Sequence, residues 1–265
     1  MDTALKDFLF DLRGYLVLRE AIDPGHVRDL DHALDALLPM ESGDWKGNIH
    51  RRRTHLHNIF EAGAPFERLL DHAAWLEDVR RFIGSRHTAF ENWGGIVVNE
   101  AFAAINGPGL ISPLHSGGYE QTLRTQFHWA DGRFRCGQIN ILLAIRTMGG
   151  GDGAPMVIPG SHKCHLRHPA EASAERNGTG PVFPSDVDEA TEIHLDAGDA
   201  LLFTDALMHG AAKRTTPGQR RIVVYRYGPH WGSNRYGYSP SRELLERLTP
   251  TRRQLLEPII PAHRS

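Results

Sequence analysis

Apolar positions along this chain follow a helical period first and a strand period afterwards. Between Ala4 and Leu12 they recur every three or four residues, which predicts a short amphipathic helix. Gly14-Tyr-Leu-Val-Leu18 is a β-type run. Asp23-Pro24 then supplies an N-cap and a first-turn proline. Val27, Leu30, Ala33, Leu34, Leu37 and Leu38 form the single apolar stripe of a second helix packed on a core. Further on, the runs 95–99, 136–145, 154–158, 200–203 and 221–227 read as strands, bounded by turn signals such as Gly149 to Gly153 and Pro159-Gly160. Ser241 to Leu256 returns to short helices broken at Pro250. There is no internal repeat and no low-complexity linker. The pattern predicts a mainly β fold with flanking helices, a sandwich or barrel, with residues 1–265 forming a single domain.

Composition narrows the function classes. With 265 residues, 40% apolar and 23% charged, the chain has the make-up of a soluble globular protein with material for a real core. A net charge of −2 gives no whole-molecule pull toward a nucleic acid polymer or an anionic membrane. No run has the length of a membrane span. The first residues lack the basic start and apolar stretch of a secretory signal, so a cytoplasmic location is the default expectation. Two cysteines, Cys136 and Cys164, make no disulfide framework. Between residues 41 and 63, Lys46, Arg51, Arg52 and Arg53 cluster with His50, His55 and His57. Such a run is either a solvated face or an anion-binding loop that meets a phosphate or carboxylate.

Three segments carry chemistry once the strands are placed: Pro113-Leu-His115-Ser-Gly117-Gly118, Asp205-Ala-Leu-Met-His209-Gly210, and Arg220, eleven residues after His209 at the start of a strand. Two neutral imidazoles from distant strands can bind Fe(II) and leave positions open for a co-substrate and dioxygen. An arginine on the next strand can grip the far carboxylate of a dicarboxylate with a forked pair of hydrogen bonds. Arg221 alternates with Arg220 across the strand, so one of the two faces such a cavity.

The chain resembles the phytanoyl-CoA dioxygenase family. The resemblance rests on the opening run Gly14 to Leu18, on Val157-Ile-Pro-Gly-Ser-His-Lys163, on Gly198-Asp199 followed by His209-Gly210, and on the strand from Gln219 to Tyr227. It implies a double-stranded β-helix (a cupin-like jelly roll) that uses Fe(II), 2-oxoglutarate and O2. It implies His115 and His209 as iron ligands and Arg220 as the partner of the 2-oxoglutarate C5 carboxylate. Gln138 and Asn140, alternate residues of one strand, would line the same cavity. His162 belongs to the Pro-Gly-Ser-His turn and is expected to be structural.

The chain departs from that family at one position. The usual proximal motif is His-x-Asp or His-x-Glu, whereas Gly117 stands two residues after His115 and no carboxylate follows until Glu120. His194-Leu-Asp196 has the literal spacing but lies only 15 residues before His209, and His128-Trp-Ala-Asp131 is spaced wrongly. A missing carboxylate opens a coordination position that chloride can fill, with Gly117 and Gly118 giving room and backbone N–H groups beside it. This resembles the halogenase subgroup, which includes nucleotide halogenases. The expectation is a radical halogenase acting on an unactivated C–H of a free, anionic small molecule such as a purine deoxynucleoside monophosphate. Arg51, Arg52, Arg53 and Tyr119 would contact it. Trp93, Phe102, Phe127 and Trp129 would either stack on a flat base or serve the core. Three alternatives stand beside this: a hydroxylase in which Glu120, Asp131 or water replaces the ligand, a silent binding protein of the same fold, and a cupin-like metal hydrolase or isomerase.

Overall fold

The computed structural model describes residues 1–83, 95–116, 126–130, 132–229 and 240–257. The first apolar stripe folds as α1 (Thr3–Arg13), capped by Asp2, whose carboxylate accepts from the Leu5 N–H at 2.8 Å, and closed by Gly14 at φ +82°. The left-handed Gly14 also touches another element. A Cβ built there would lie 2.5 Å from His162 Nδ1, so the glycine admits the histidine of the Pro-Gly-Ser-His turn against the end of α1. His162 Nε2 is 3.1 Å from the Asp11 carbonyl, and its ring stands edge-on to Phe127. His162 is therefore placed as a packing residue.

After β1 (Tyr15–Leu18), α2 (Pro24–Asp35) begins where Asp23 accepts from the His26 N–H at 3.0 Å. The segment read as a charged run instead forms a three-stranded curl: β2 (Trp45–Lys46), β3 (Ile49–Arg52) and β4 (His55–His57). Two short helices follow, α3 (Ala64–Glu67) and α4 (Leu76–Ile83). The strand-rich middle comprises β5 (Ile96–Asn106), β6 (Ser112–His115), β7 (Phe127–Ala130), β8 (Arg133–Cys136), β9 (Ile139–Ala144) and β10 (Pro155–Val157). The remaining elements are α5 (Pro169–Asn177), β11 (Thr191–Glu192), β12 (Ala200–Thr204), β13 (His209–Ala211), β14 (Arg220–Pro229), α6 (Arg242–Arg247) and α7 (Pro250–Leu256).

The strands make a major sheet in the order β1-β12-β9-β14-β5-β4-β3-β2 and a minor sheet in the order β11-β10-β13-β6, with β7-β8 as a separate hairpin. Every pairing between named strands is antiparallel. This is the mainly β jelly-roll architecture expected from the sequence. The outer face of the major sheet is sealed by a large apolar cluster that includes Phe10, Leu30, Leu34, Trp75, Phe82 and Tyr225. A second cluster, with Phe102, Leu142, Leu201, Phe203, Ile222 and Val224, lies between the sheets. Burial of a Phe or Leu in either layer stabilises the fold by about 2 kcal/mol.

Strand β14 shows how one segment serves both layers. Its odd-numbered residues face the helices. Arg221 ion-pairs with Asp31 at 2.6 Å and Asp35 at 2.7 Å on α2, and the Tyr225 hydroxyl donates to the Phe66 carbonyl at 2.6 Å. Its even-numbered residues, Arg220, Ile222, Val224 and Arg226, face the space between the sheets.

Candidate active site

The two histidines singled out in the sequence are brought side by side. His115 ends β6 and His209 begins β13, and the two are register partners with ring centroids 4.1 Å apart. The register shifts between His209 and Ala211, with one extra residue on β6, a bulge of the kind that re-aims side chains next to functional sites. On the other side His209 pairs with Val157 of β10. The Pro-Gly-Ser-His turn holds this region, because the Met208 N–H donates to Ser161 Oγ at 2.8 Å. Ser116 Oγ donates to the Ala206 carbonyl at 2.8 Å and so ties the end of β6 to the same loop.

Both rings are oriented in the same way. His115 Nδ1 lies 2.8 Å from the Pro113 carbonyl, and His209 Nδ1 lies 2.7 Å from the Leu207 carbonyl. A carbonyl only accepts, so each Nδ1 carries a proton, and in the neutral ring each Nε2 keeps the lone pair. This is the tautomer a metal-binding imidazole needs, set by a hydrogen bond to its other nitrogen. Gly210 follows His209 for a steric reason. A Cβ there would lie 2.6 Å from Pro184 Cγ and 2.7 Å from the Ser112 carbonyl oxygen, so only glycine lets β13 approach β6 this closely.

The pair opens on a cavity of about 420 Å³ that also holds Arg220, Asn140, Phe203, Phe102 and His55. Arg220 is 7% exposed. Burial, with Arg214 nearby, lowers its pKa to about 10, so the guanidinium stays charged at neutral pH. Its Nε lies 3.3 Å from Met148 Sδ, and Nη1 lies 3.3 Å from the Asn106 amide. Among the described residues no carboxylate pairs with it, although a buried cation needs an anionic partner. Arg221, by contrast, is fully engaged outside the cavity with α2. A dicarboxylate with one end on Arg220 and a metal held by His115 and His209 both fit these residues.

Several residues named in the sequence stand elsewhere. Gln138 does not line the cavity. Its amide donates to Asn140 Oδ1 at 2.8 Å and to Asp205 Oδ1 at 3.0 Å, which turns it into a buried network that positions Asn140. Asn140 also donates to Asp205 at 3.1 Å. Asp205 opens the segment that carries His209, and the structure gives it the role of accepting from both amides. Arg51 is turned away from the cavity, with Nη1 donating to the Leu38 carbonyl at 2.9 Å and to that of Met40. Arg52 does not line the cavity either, whereas Arg53 does. Both Arg51 and Arg52 belong to β3 of the curl, where Arg51 secures the turn that follows α2. Phe102 faces the cavity, Phe127 packs in the core beside Phe10 and Phe134, and Trp129 is exposed on the hairpin. His194 is exposed and lies 3.6 Å from Glu192, apart from the histidine pair. Gly117, Gly118, Tyr119, Glu120, Trp93 and Asp131 lie outside the described residues. Among the described residues no three His, Cys, Asp or Glu side chains gather at one point, and no helix is long and apolar enough to cross a membrane.

A jelly roll whose minor sheet aims two like-oriented imidazoles into a cavity with a buried arginine is of the cupin-like, oxygenase type. The chain belongs to the phytanoyl-CoA dioxygenase family, which its residues 10–222 match. It is therefore a dioxygenase-family enzyme. Among solved structures it is similar to HygX from Streptomyces hygroscopicus with nickel and 2-oxoglutarate bound, at TM-score 0.74 and 22% identity over 92% of this chain and 94% of that one. It is also similar to EctD from S. alaskensis, at TM-score 0.62 and 20% identity over 89% of this chain and 79% of that one. In sequence it is 29% identical over 119 residues to "Dioxygenase cdmD" of Talaromyces verruculosus, a match spanning 44% of this chain and 35% of that protein.

Proposed function

We propose that this chain is an Fe(II)- and 2-oxoglutarate-dependent halogenase that chlorinates an unactivated C–H of an anionic small molecule. His115 and His209 hold the iron through Nε2, and Arg220 anchors the far carboxylate of 2-oxoglutarate. The cofactor assignment is carried by the pairing of two like-oriented imidazoles with a cavity arginine that no described carboxylate neutralises, and the halogenase choice rests on Gly117 standing where the family has a carboxylate. HygX, similar in fold, binds iron in one structure and nickel with 2-oxoglutarate in another, which supports the same cofactor set here. When bound, iron and 2-oxoglutarate supply O2-driven removal of a hydrogen atom from carbon.

The chain's own residues then decide the outcome. Arg220 fixes the co-substrate's orientation, and its surroundings keep water away from that ion pair. Gly117 stands where the family carries a carboxylate two residues after its proximal histidine, so that position supplies no acidic ligand to compete with chloride. In balance, substrate C–H, chloride, a proton, O2 and 2-oxoglutarate give substrate C–Cl, water, succinate and CO2. The cavity supports an anionic substrate. Its described lining includes Arg53, Arg214, Arg220 and Arg226 and no Asp or Glu, while Phe102 presents an apolar ring face. A purine deoxynucleoside monophosphate is the compound class to test first.

A second reading is hydroxylation, favoured by the dioxygenase name of the relative matched in sequence. The two are separated by incubating the enzyme with Fe(II), 2-oxoglutarate, chloride and purine deoxynucleotides, followed by mass spectrometry. The halogenase reading expects a chlorine isotope doublet that is lost in Gly117→Asp. A product carrying oxygen instead, or chlorination unchanged in that variant, contradicts it.

A further inference from the structure

The cavity-facing side of β14 is charged at its two ends and apolar between them: Arg220, Ile222, Val224, Arg226. Six residues of strand place the two arginine backbones roughly 20 Å apart. The side chains keep to different neighbours as well, Arg220 beside Met148 and Asn106 and Arg226 on Glu100 over the Phe102 ring, so the two guanidiniums occupy different parts of the cavity. The co-substrate assigned to Arg220 therefore leaves Arg226 to a different group.

Cross-strand pairing fixes the neighbours of Arg226. Glu100 on β5 and Asn140 on β9 are its register partners and so share its face. Phe203, the partner of Asn140 on β12, lies against His209 with ring centroids 4.8 Å apart. Arg226 thus belongs to the same row of side chains as the floor beneath the histidine pair. Its guanidinium is fixed before any ligand arrives. Nη1 ion-pairs with Glu100 Oε2, and the group sits 5.1 Å above the Phe102 ring. Glu100 Oε1 is in turn 3.4 Å from His57 Nδ1. The Arg226 Nε–H is buried and has no partner among the described residues. A guanidinium locked on one side, with a buried donor left over, is preorganised for an oxygen anion.

We propose that Arg226 is a substrate-binding residue that docks the anionic oxygen group, phosphate or carboxylate, of the primary substrate. This rests on the assignment of Arg220 to 2-oxoglutarate. Glu100 acts through Arg226 as its positioning residue.

Calorimetry on the full chain loaded with Ni(II) and saturating 2-oxoglutarate tests it, using adenosine 5′-monophosphate, adenosine 5′-carboxylate and uncharged adenosine as probes. Wild type is expected to bind at least one anionic probe about tenfold or more tighter than adenosine. The comparison between the two anions tells phosphate from carboxylate. R226Q should erase the preference and R226K should keep part of it, with 2-oxoglutarate affinity unchanged in both. Because R226Q leaves Glu100 buried without its cation, the neutral pair R226Q/E100Q is measured alongside and should behave as R226Q does. Equal binding of charged and uncharged probes by wild type, or a preference that survives R226Q, overturns the inference while the 2-oxoglutarate assignment stands. Failure of wild type to bind 2-oxoglutarate overturns both.

Discussion

Arg220 and Arg221 are chemically identical neighbours, and a strand assigns them opposite duties. Arg220 points between the sheets without a described carboxylate, and Arg221 points at α2 with two. Their variants should therefore separate binding from stability. Arg220→Gln is expected to weaken 2-oxoglutarate binding by about 30-fold or more, the loss of a charge-assisted fork of roughly 2 kcal/mol or above. Its measurement is calorimetric titration with the co-substrate. Arg221→Gln should leave that affinity unchanged and lower unfolding stability by on the order of 1 kcal/mol, since it removes the pairs to the half-buried Asp31 and the exposed Asp35, both of which water can still solvate. Urea denaturation reads that loss. The reverse pattern would mean that the two residues exchange faces. The family spacing pointed to Arg220, and the ion pairs of Arg221 explain physically why the alternation falls this way. Arg226 was also legible, since six residues from Arg220 is an even number and keeps the same face. It went unnoticed because it sits inside an apolar run.

At the scale of elements, the site depends on β6 and β13 lying close enough for His115 and His209 to meet. Gly210 permits that approach. Gly210→Ala would drive a methyl group into Pro184 and the Ser112 carbonyl, costing about 1–3 kcal/mol through overpacking. A fall in Tm together with weaker Ni(II) binding is expected. Unchanged metal affinity would show that the histidine geometry does not rest on this contact. The elements themselves differed in how well the sequence announced them. Strands β9, β12 and β14 are dense apolar runs, and α2 carries its own cap at Asp23, so each was readable. The curl β2–β4 was not. Its only buried apolar residues are Ile49 and Leu56, set among Arg and His, so local composition suggested a solvated loop. What makes it a sheet is pairing with β5, a long-range contact that no short window contains. The same holds for Asp205, whose role appears only when β9 brings Gln138 and Asn140 to it.

The whole molecule should be acid-sensitive in a defined window. Burial, aided by His57, lowers the His55 pKa to about 4, and burial, aided by Lys163, does the same for His162. In the unfolded chain both take up protons below their ordinary value of about 6.5. Between that value and 4 the unfolded state therefore binds more protons, and stability falls as pH falls, by up to about 3 kcal/mol for each histidine. Below 4 the effect levels off. Tm measured from pH 7 to 4 should drop through this window, and His162→Gln should flatten the slope even if it lowers Tm throughout. A slope identical to wild type would show that His162 is not held neutral. The account as a whole depends on His115 and His209 sharing one iron within reach of a 2-oxoglutarate held by Arg220. Anaerobic addition of Fe(II) and 2-oxoglutarate, followed by visible absorption, tests that most directly. Wild type is predicted to develop a weak charge-transfer band that is absent from His115→Ala and His209→Ala and that requires far more 2-oxoglutarate in Arg220→Gln. No band in wild type, or a band of full intensity in either histidine variant, would contradict it.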